Sequence, residues 1–252
     1  TEAGVTQAVF PEGGLSRTGH LGKPRLGLIS YILDGFHRGR SRDVVFVPVA
    51  LNYDRVMEDR NLIDAHLNGA RRFRFSLLPI WRYLRRQLWH RVTGRYHRYG
   101  YAAVSFGDPL SLTAFLGRGH DDAPAALGSE LMARIAAVMP VTPVPLVAHA
   151  LGQGVRSVAA LEARVRRQMA DAAARDVTLH IPRDDIAYTI EAGLRAMLER
   201  GLLTRDGDRL TVPEAGADLV AFYAASVAHL LDPPAGGGQA PDAPTAPTGT
   251  KT

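Results

Sequence analysis

The chain has 252 residues, a hydrophobic fraction of 46% and a formal net charge of +5. That length holds one large domain or two small ones, and the composition is that of a globular protein. It has no cysteine, which excludes disulfides and thiol catalysis. No His-Glu-x-x-His or similar ligand spacing occurs, so neither a metal nor a resident cofactor is expected. No apolar run is long enough to cross a bilayer. The positive balance points to an anionic partner, which could be lipid headgroups, a phosphorylated substrate or nucleic acid.

The chain opens at Thr1 with no initiator methionine and no signal-peptide pattern, so it is expected to be a fragment lacking its N-terminal part. Ala8-Val9-Phe10 reads as the end of a buried strand. A glycine-rich stretch follows, from Phe10-Pro11-Glu12-Gly13-Gly14 through Ser16-Arg17 to Gly27. Leu26, Leu28, Ile29, Ile32, Leu33 and Phe36 then fall at helical spacing, with Pro24 read as a first-turn proline. Such a loop suits a phosphate. Gly13 and Gly14 are read as offering free backbone N–H groups, Ser16 a hydroxyl and Arg17 a forked cation. Lys23 and Arg25 add positive potential. No Gly-Lys-Ser/Thr follows at Walker spacing.

The stretch from Phe10 to Gly27 resembles the third conserved block of the membrane-associated bacterial glycerol-3-phosphate acyltransferases, relatives of the dihydroxyacetone-phosphate acyltransferases. It departs at Leu15, where several members carry Arg, and at Arg25, where Lys is usual. The resemblance implies an α/β fold: an acyltransferase-type mixed sheet flanked by helices, truncated at its N-terminus and followed by a mainly helical C-terminal region. It implies that Glu12, Gly13, Gly14, Ser16 and Arg17 bind glycerol 3-phosphate. The co-substrate would be an acyl thioester of coenzyme A or acyl carrier protein, and the product lysophosphatidic acid. The family's general base, the His of a His-x4-Asp motif, belongs upstream of the loop. No catalytic residue is therefore expected in this chain, which would be inactive alone. Dihydroxyacetone phosphate is the alternative acceptor.

Asp43 to Leu51 is nearly all apolar and reads as a strand buried on both faces, as in parallel sheets. Pro48 is unusual in a strand. Val47-Pro48-Val49-Ala50-Leu51-Asn52-Tyr53-Asp54 resembles the family's fourth block, which places Pro48 by the acyl and substrate cleft; a packing role fits equally. Arg55, Glu58, Asp59 and Arg60 read as a solvated charged turn. Residues 65 to 107 lack acidic residues and interleave arginines with aromatics. Leu77, Ile80, Leu84 and Leu88 share a helical face with Trp81 beside them. Arg82, Arg85, Arg86, Trp81 and Trp89 are thus candidates for contact with an anionic membrane surface, which would place the protein peripherally on the cytoplasmic face of the cell membrane. A solvated helix is the plain alternative.

Tyr101 to Phe106 reads as a strand ending in a Gly107-Asp108-Pro109 turn. From about residue 124 the chain is rich in alanine and in helical spacing. Stripes run through Leu131, Ile135 and Val138; through Leu146, Val147, Ala150 and Leu151; and through Val158, Leu161, Val165 and Met169. Another runs from Ile186 to Leu198, closed by Gly201. Leu202 to Val212 reads as a hairpin turning at Asp206-Gly207, followed by a helix from about Ala217 to Leu231. Helices followed by a hairpin also fit a winged-helix nucleic-acid binder, but Asp184, Asp185, Glu191 and Glu199 on the candidate recognition helix oppose phosphate. His180 and Asp185 fit His-x4-Asp, yet lie on the wrong side of the loop, and either Asp184 or Asp185 reads as a helix N-cap. The expected division is 1–123 as the C-terminal part of an acyltransferase domain, 124–232 as a helical region with a hairpin, and 233–252 as a disordered tail.

Overall fold

The computed structural model describes residues 6–37, 43–56, 59 and 100–232. Helix α1 (Leu26–His37) forms over the predicted spacing and buries Ile29 and Leu33. Pro24 stands two residues ahead of it rather than in its first turn. Residues 6–10 form no strand, and Val9 and Phe10 are exposed, which corrects the expected buried strand. A strand needs a neighbour to take its backbone groups, and none pairs there among the described residues.

Strand β1 (Val45–Phe46) and strand β2 (Val49–Tyr53) are separated at Pro48, which has no N–H for a ladder. Strand β3 (Ala102–Phe106) runs antiparallel to β2, with Val49 opposite Phe106, Leu51 opposite Val104 and Tyr53 opposite Ala102. Strand β4 (Leu110–Ser111) runs antiparallel to β1. The expectation of a strand buried on both faces is corrected here. Ala50 and Asn52 are buried, whereas Val49, Leu51 and Tyr53 face outward beside Val104 and Phe106. Side chains alternate across a sheet, so a wholly apolar strand exposes half of its apolar residues wherever one face is uncovered.

Ser111 caps the short helix α2 (Leu112–Leu116) by accepting from Ala114 N. Asp122 caps helix α3 (Ala123–Ala137) through Ala125 N. α1 packs on α3, and Gly128 makes this possible: a Cβ there would come within 2.9 Å of Leu26 Cδ2 and 3.1 Å of Pro24 Cγ. Ile29, Leu33, Leu112, Phe115, Leu127 and Leu131 fill this smaller core.

The larger core surrounds helix α4 (Pro143–Gly152), buried from Pro143 to Leu151. Its only ionisable side chain is His149, and a helix apolar all round belongs in an interior. It is enclosed by α5 (Val158–Ala173), α6 (Ile186–Glu199) and α7 (Glu214–Leu231). Asp185 caps α6 by accepting from Tyr188 N at 3.1 Å. The other end closes on Gly201, with φ +69°, where Gly201 N donates to Leu198 O and Leu202 N to Met197 O. That pair of bonds is a Schellman closure. Strands β5 (Thr204–Asp206) and β6 (Arg209–Thr211) make the predicted hairpin around Gly207. α7 begins at Glu214, three residues earlier than the spacing suggested. The class is thus mixed α/β, but the described residues hold three separate two-stranded antiparallel sheets.

Candidate functional site

The glycine-rich stretch closes on itself before α1. Arg25 N donates to Pro11 O at 2.8 Å, tying the two ends together. Gly13 has φ +74°, and the stem of Arg25 lies against it, so a Cβ would meet Arg25 Cδ at 2.5 Å. Arg25 Nε also donates to Glu12 O at 3.2 Å. The Glu12 carboxylate turns inward and accepts from Gly22 N at 2.8 Å. Ser16 Oγ donates to His20 O at 2.7 Å. Within this frame lies an open depression of about 650 Å³, walled by Gly13, Gly14, Ser16, Arg17, His20 and Lys23 among others.

The five predicted loop residues therefore come together around one depression. Their parts within it differ from the reading of the sequence. Gly13 N–H is not free, because it donates to Phe10 O at 2.9 Å. Glu12 and Ser16 hold the loop's shape through their bonds to Gly22 and His20. Arg17, exposed on the wall with Lys23 nearby, gives the depression its positive side. His20 stands on the same wall without any mark in the sequence, since a lone histidine in a loop carries no signal by spacing.

Three acidic or amide side chains in and after β2 serve the fold. Asn52 Nδ2 donates to Pro140 O at 2.9 Å. Asp54 accepts from Val144 N at 2.8 Å and Tyr101 N at 2.9 Å. It therefore caps α4 from a distant segment, where negative charge is also favoured by the helix dipole. Burial pushes its pKa up, against the pull of those two N–H groups. Asp59, expected in a solvated turn, is buried and pairs with Arg200 and Tyr223. Burial pushes the Tyr223 phenol up to about 12. Pro48 is buried between the short strands, and its carbonyl accepts from Gly107 N at 2.8 Å.

His180 sits against Tyr101, with ring centroids 5.1 Å apart, and its backbone N–H donates to Val141 O. Asp185, its counterpart in the His-x4-Asp pattern, is engaged as the cap of α6. On the outer side of α6, Glu191 pairs with Arg195. The membrane-contact candidates Trp81, Arg82, Arg85, Arg86 and Trp89 lie outside the described residues. Among the described residues no helix is long and apolar enough to cross a membrane, and no group of histidines and carboxylates could hold a metal ion.

Fold and site together define a mixed α/β protein whose cationic glycine-rich loop adjoins a helical C-terminal region. The family model for the glycerol-3-phosphate acyltransferase C-terminal region matches residues 76–235. A glycerol-3-phosphate acyltransferase of Pseudomonas putida is 31% identical over 251 residues, covering 90% of this chain and 29% of that protein. One of Pseudomonas fluorescens strain Pf0-1 is 29% identical, again over 90% of this chain and 29% of its own length. One of Pseudomonas aeruginosa PAO1 is 35% identical over 119 residues, which are 47% of this chain and 13% of that one. The chain belongs to the glycerol-3-phosphate acyltransferase family, of which it carries the C-terminal portion. It spans less than a third of the length of these relatives.

Proposed function

We propose that the chain supplies the acceptor-binding loop of an enzyme that moves a fatty acyl group from a thioester to the sn-1 hydroxyl of glycerol 3-phosphate, giving lysophosphatidic acid. The observation that carries this reading is the depression itself. Arg17 and Lys23 stand on its wall, while the one carboxylate of the loop, Glu12, is tied back to Gly22 N. A dianionic phosphate is held by charge-assisted bonds from such cations, and the pinned carboxylate keeps negative charge directed into the loop frame. The histidine base that the family resemblance implies would lie in a preceding part of the protein. It would take the proton from the glycerol hydroxyl as that oxygen attacks the thioester carbonyl. The proton then passes to the departing thiolate. The loop's own part is to hold the phosphate so that the hydroxyl stays placed, and such positioning can supply several kcal/mol of the barrier reduction, up to roughly 7–11.

The test is Arg17→Ala in the complete enzyme. Loss of a hydrogen bond to a charged group costs about 1.5–3 kcal/mol. The Michaelis constant for glycerol 3-phosphate should therefore rise by about 10- to 100-fold, with that for the acyl thioester unchanged. An unchanged constant for glycerol 3-phosphate removes the loop from the acceptor site.

A further inference from the structure

The glycine-rich loop is seated on α7, the last helix among the described residues. Gly19 has φ +85° and lies directly on the backbone of α7. A Cβ there would collide with the carbonyl oxygen of Phe222 and lie 3.1 Å from Cβ of Ala225. His20 is close enough to His229, two turns further along α7, for the two rings to interact electrostatically. Leu21 packs into the core that contains Phe222, Tyr223 and Val227. Gly19 thus rests directly on α7, and the two residues after it continue beside the same core. The same residues are tied to the depression on either flank: His20 O takes the Ser16 hydroxyl, and Gly22 N–H is held by Glu12. The helix beneath is itself anchored, because Tyr223 donates to the buried Asp59 carboxylate and accepts from Arg200.

We infer that α7 is the platform that sets the shape of the anion-binding loop, with Gly19 as a positioning residue for the acceptor. The inference rests on the reading that this loop holds the phosphate of glycerol 3-phosphate. Only glycine meets both demands at position 19. The backbone angle is one that other residues rarely adopt, and the approach to Phe222 leaves no room for a side chain. The C-terminal helical region then serves the acceptor site from a distance of about two hundred residues in sequence, although none of its side chains lines the depression. A displacement of about 1 Å at a positioning element can cost up to ~10²-fold in rate.

The experiment uses the complete enzyme and four variants. Gly19→Ala strains the loop and forces it off the helix. Ala225→Leu pushes from the helix side, keeps a good helix former and changes no loop residue. Gly154→Ala is the control: its φ is +87°, but nothing lies within 4 Å of its added Cβ, so it carries the backbone strain without the contact. Arg17→Ala tests the site itself. Michaelis constants are measured separately for glycerol 3-phosphate and for a long-chain acyl coenzyme A, beside a thermal unfolding midpoint. Gly19→Ala and Ala225→Leu should each raise the constant for glycerol 3-phosphate by about tenfold or more and leave that for the thioester unmoved. Gly154→Ala should change neither. If Arg17→Ala raises the constant but Gly19→Ala and Ala225→Leu do not, the platform inference fails and the site stands. If both platform variants shift the two constants together, or neither folds, the contact is structural only and the inference is overturned. If Arg17→Ala itself has no effect, the reading of the loop fails first.

Discussion

Asp59 is only 3% exposed, and a carboxylate that far from water must be paired. Arg200 and the Tyr223 hydroxyl both bond its Oδ2, the latter at 2.5 Å. Tyr223 OH also accepts from Arg200 Nη1 at 3.0 Å and from Val56 N at 3.1 Å. The phenol is pushed to about 12 by burial, so it stays protonated and keeps donating at any ordinary pH. The two partners differ in what their loss leaves behind. Arg200→Met takes the cation away from the buried carboxylate and should cost about 3–5 kcal/mol. Tyr223→Phe leaves the ion pair in place but orphans Val56 N–H, at a cost of about 1–3 kcal/mol. Urea unfolding midpoints of the 252-residue chain rank the two, and a Tyr223→Phe loss equal to or larger than that of Arg200→Met would show that the phenol, not the guanidinium, holds the carboxylate.

At the level of elements, close packing of α4 against α6 depends on Gly193. A Cβ at that position would come within 2.6 Å of Pro143 O and 2.7 Å of Val147 Cγ2. The first is backbone and cannot swing aside. Helix propensity alone favours alanine over glycine by about 1 kcal/mol, whereas overpacking a core costs about 1–3 kcal/mol. Gly193→Ala should therefore destabilise. Gly35 in α1 has nothing within 4 Å of an added Cβ, so Gly35→Ala should stabilise by a few tenths to ~1 kcal/mol. Denaturant midpoints of opposite sign are the expected result; two stabilised variants would show that α4 and α6 can move apart freely. The same contrast explains what could be read from the chain. Helices α3 to α7 follow local spacing, and α5 and α6 have local caps as well, with Ser157 before α5, Asp185 before α6 and Gly201 after it. The sheet is not local: β2 finds β3 across some fifty residues, and an apolar run does not say which face stays uncovered. Asp59 looks like a surface charge because its partners lie 141 and 164 positions away, and the capping role of Asp54 is hidden because Val144 lies 90 positions away. In the loop, residue types announced an anion, but which of them brace and which face the depression is set by backbone bonds that sequence spacing does not encode.

Over the whole molecule, acid stability follows from one buried and one half-buried histidine rather than from surface ion pairs. His149 lies under the end of α7, with Nε2 2.7 Å from the Asp232 carboxylate and Nδ1 2.7 Å from the Gln168 amide nitrogen. Burial lowers its pKa, Asp232 opposes that shift and Arg164 adds to it. His229 is lowered by burial as well, against its contact with Ala136 O, and His20 pushes it the same way as burial. Both are thus harder to protonate in the folded chain than in the unfolded one, where histidine titrates at about 6.5. Above that pH neither state binds the protons and the histidines leave stability flat. Below it the unfolded chain takes them up first, so stability falls with pH until the folded values are reached. Asp54 acts in the opposite sense, because its raised pKa makes the folded chain the better proton acceptor there. Urea unfolding measured from about pH 8 to about pH 5 brackets the histidine range. The unfolding free energy should be level at the alkaline end and decline below about 6.5. In the His149→Gln, His229→Gln double variant the decline should flatten, whatever the variant's absolute stability, because the slope counts only protons. A slope unchanged by the double substitution would show that these two histidines do not set the acid limb.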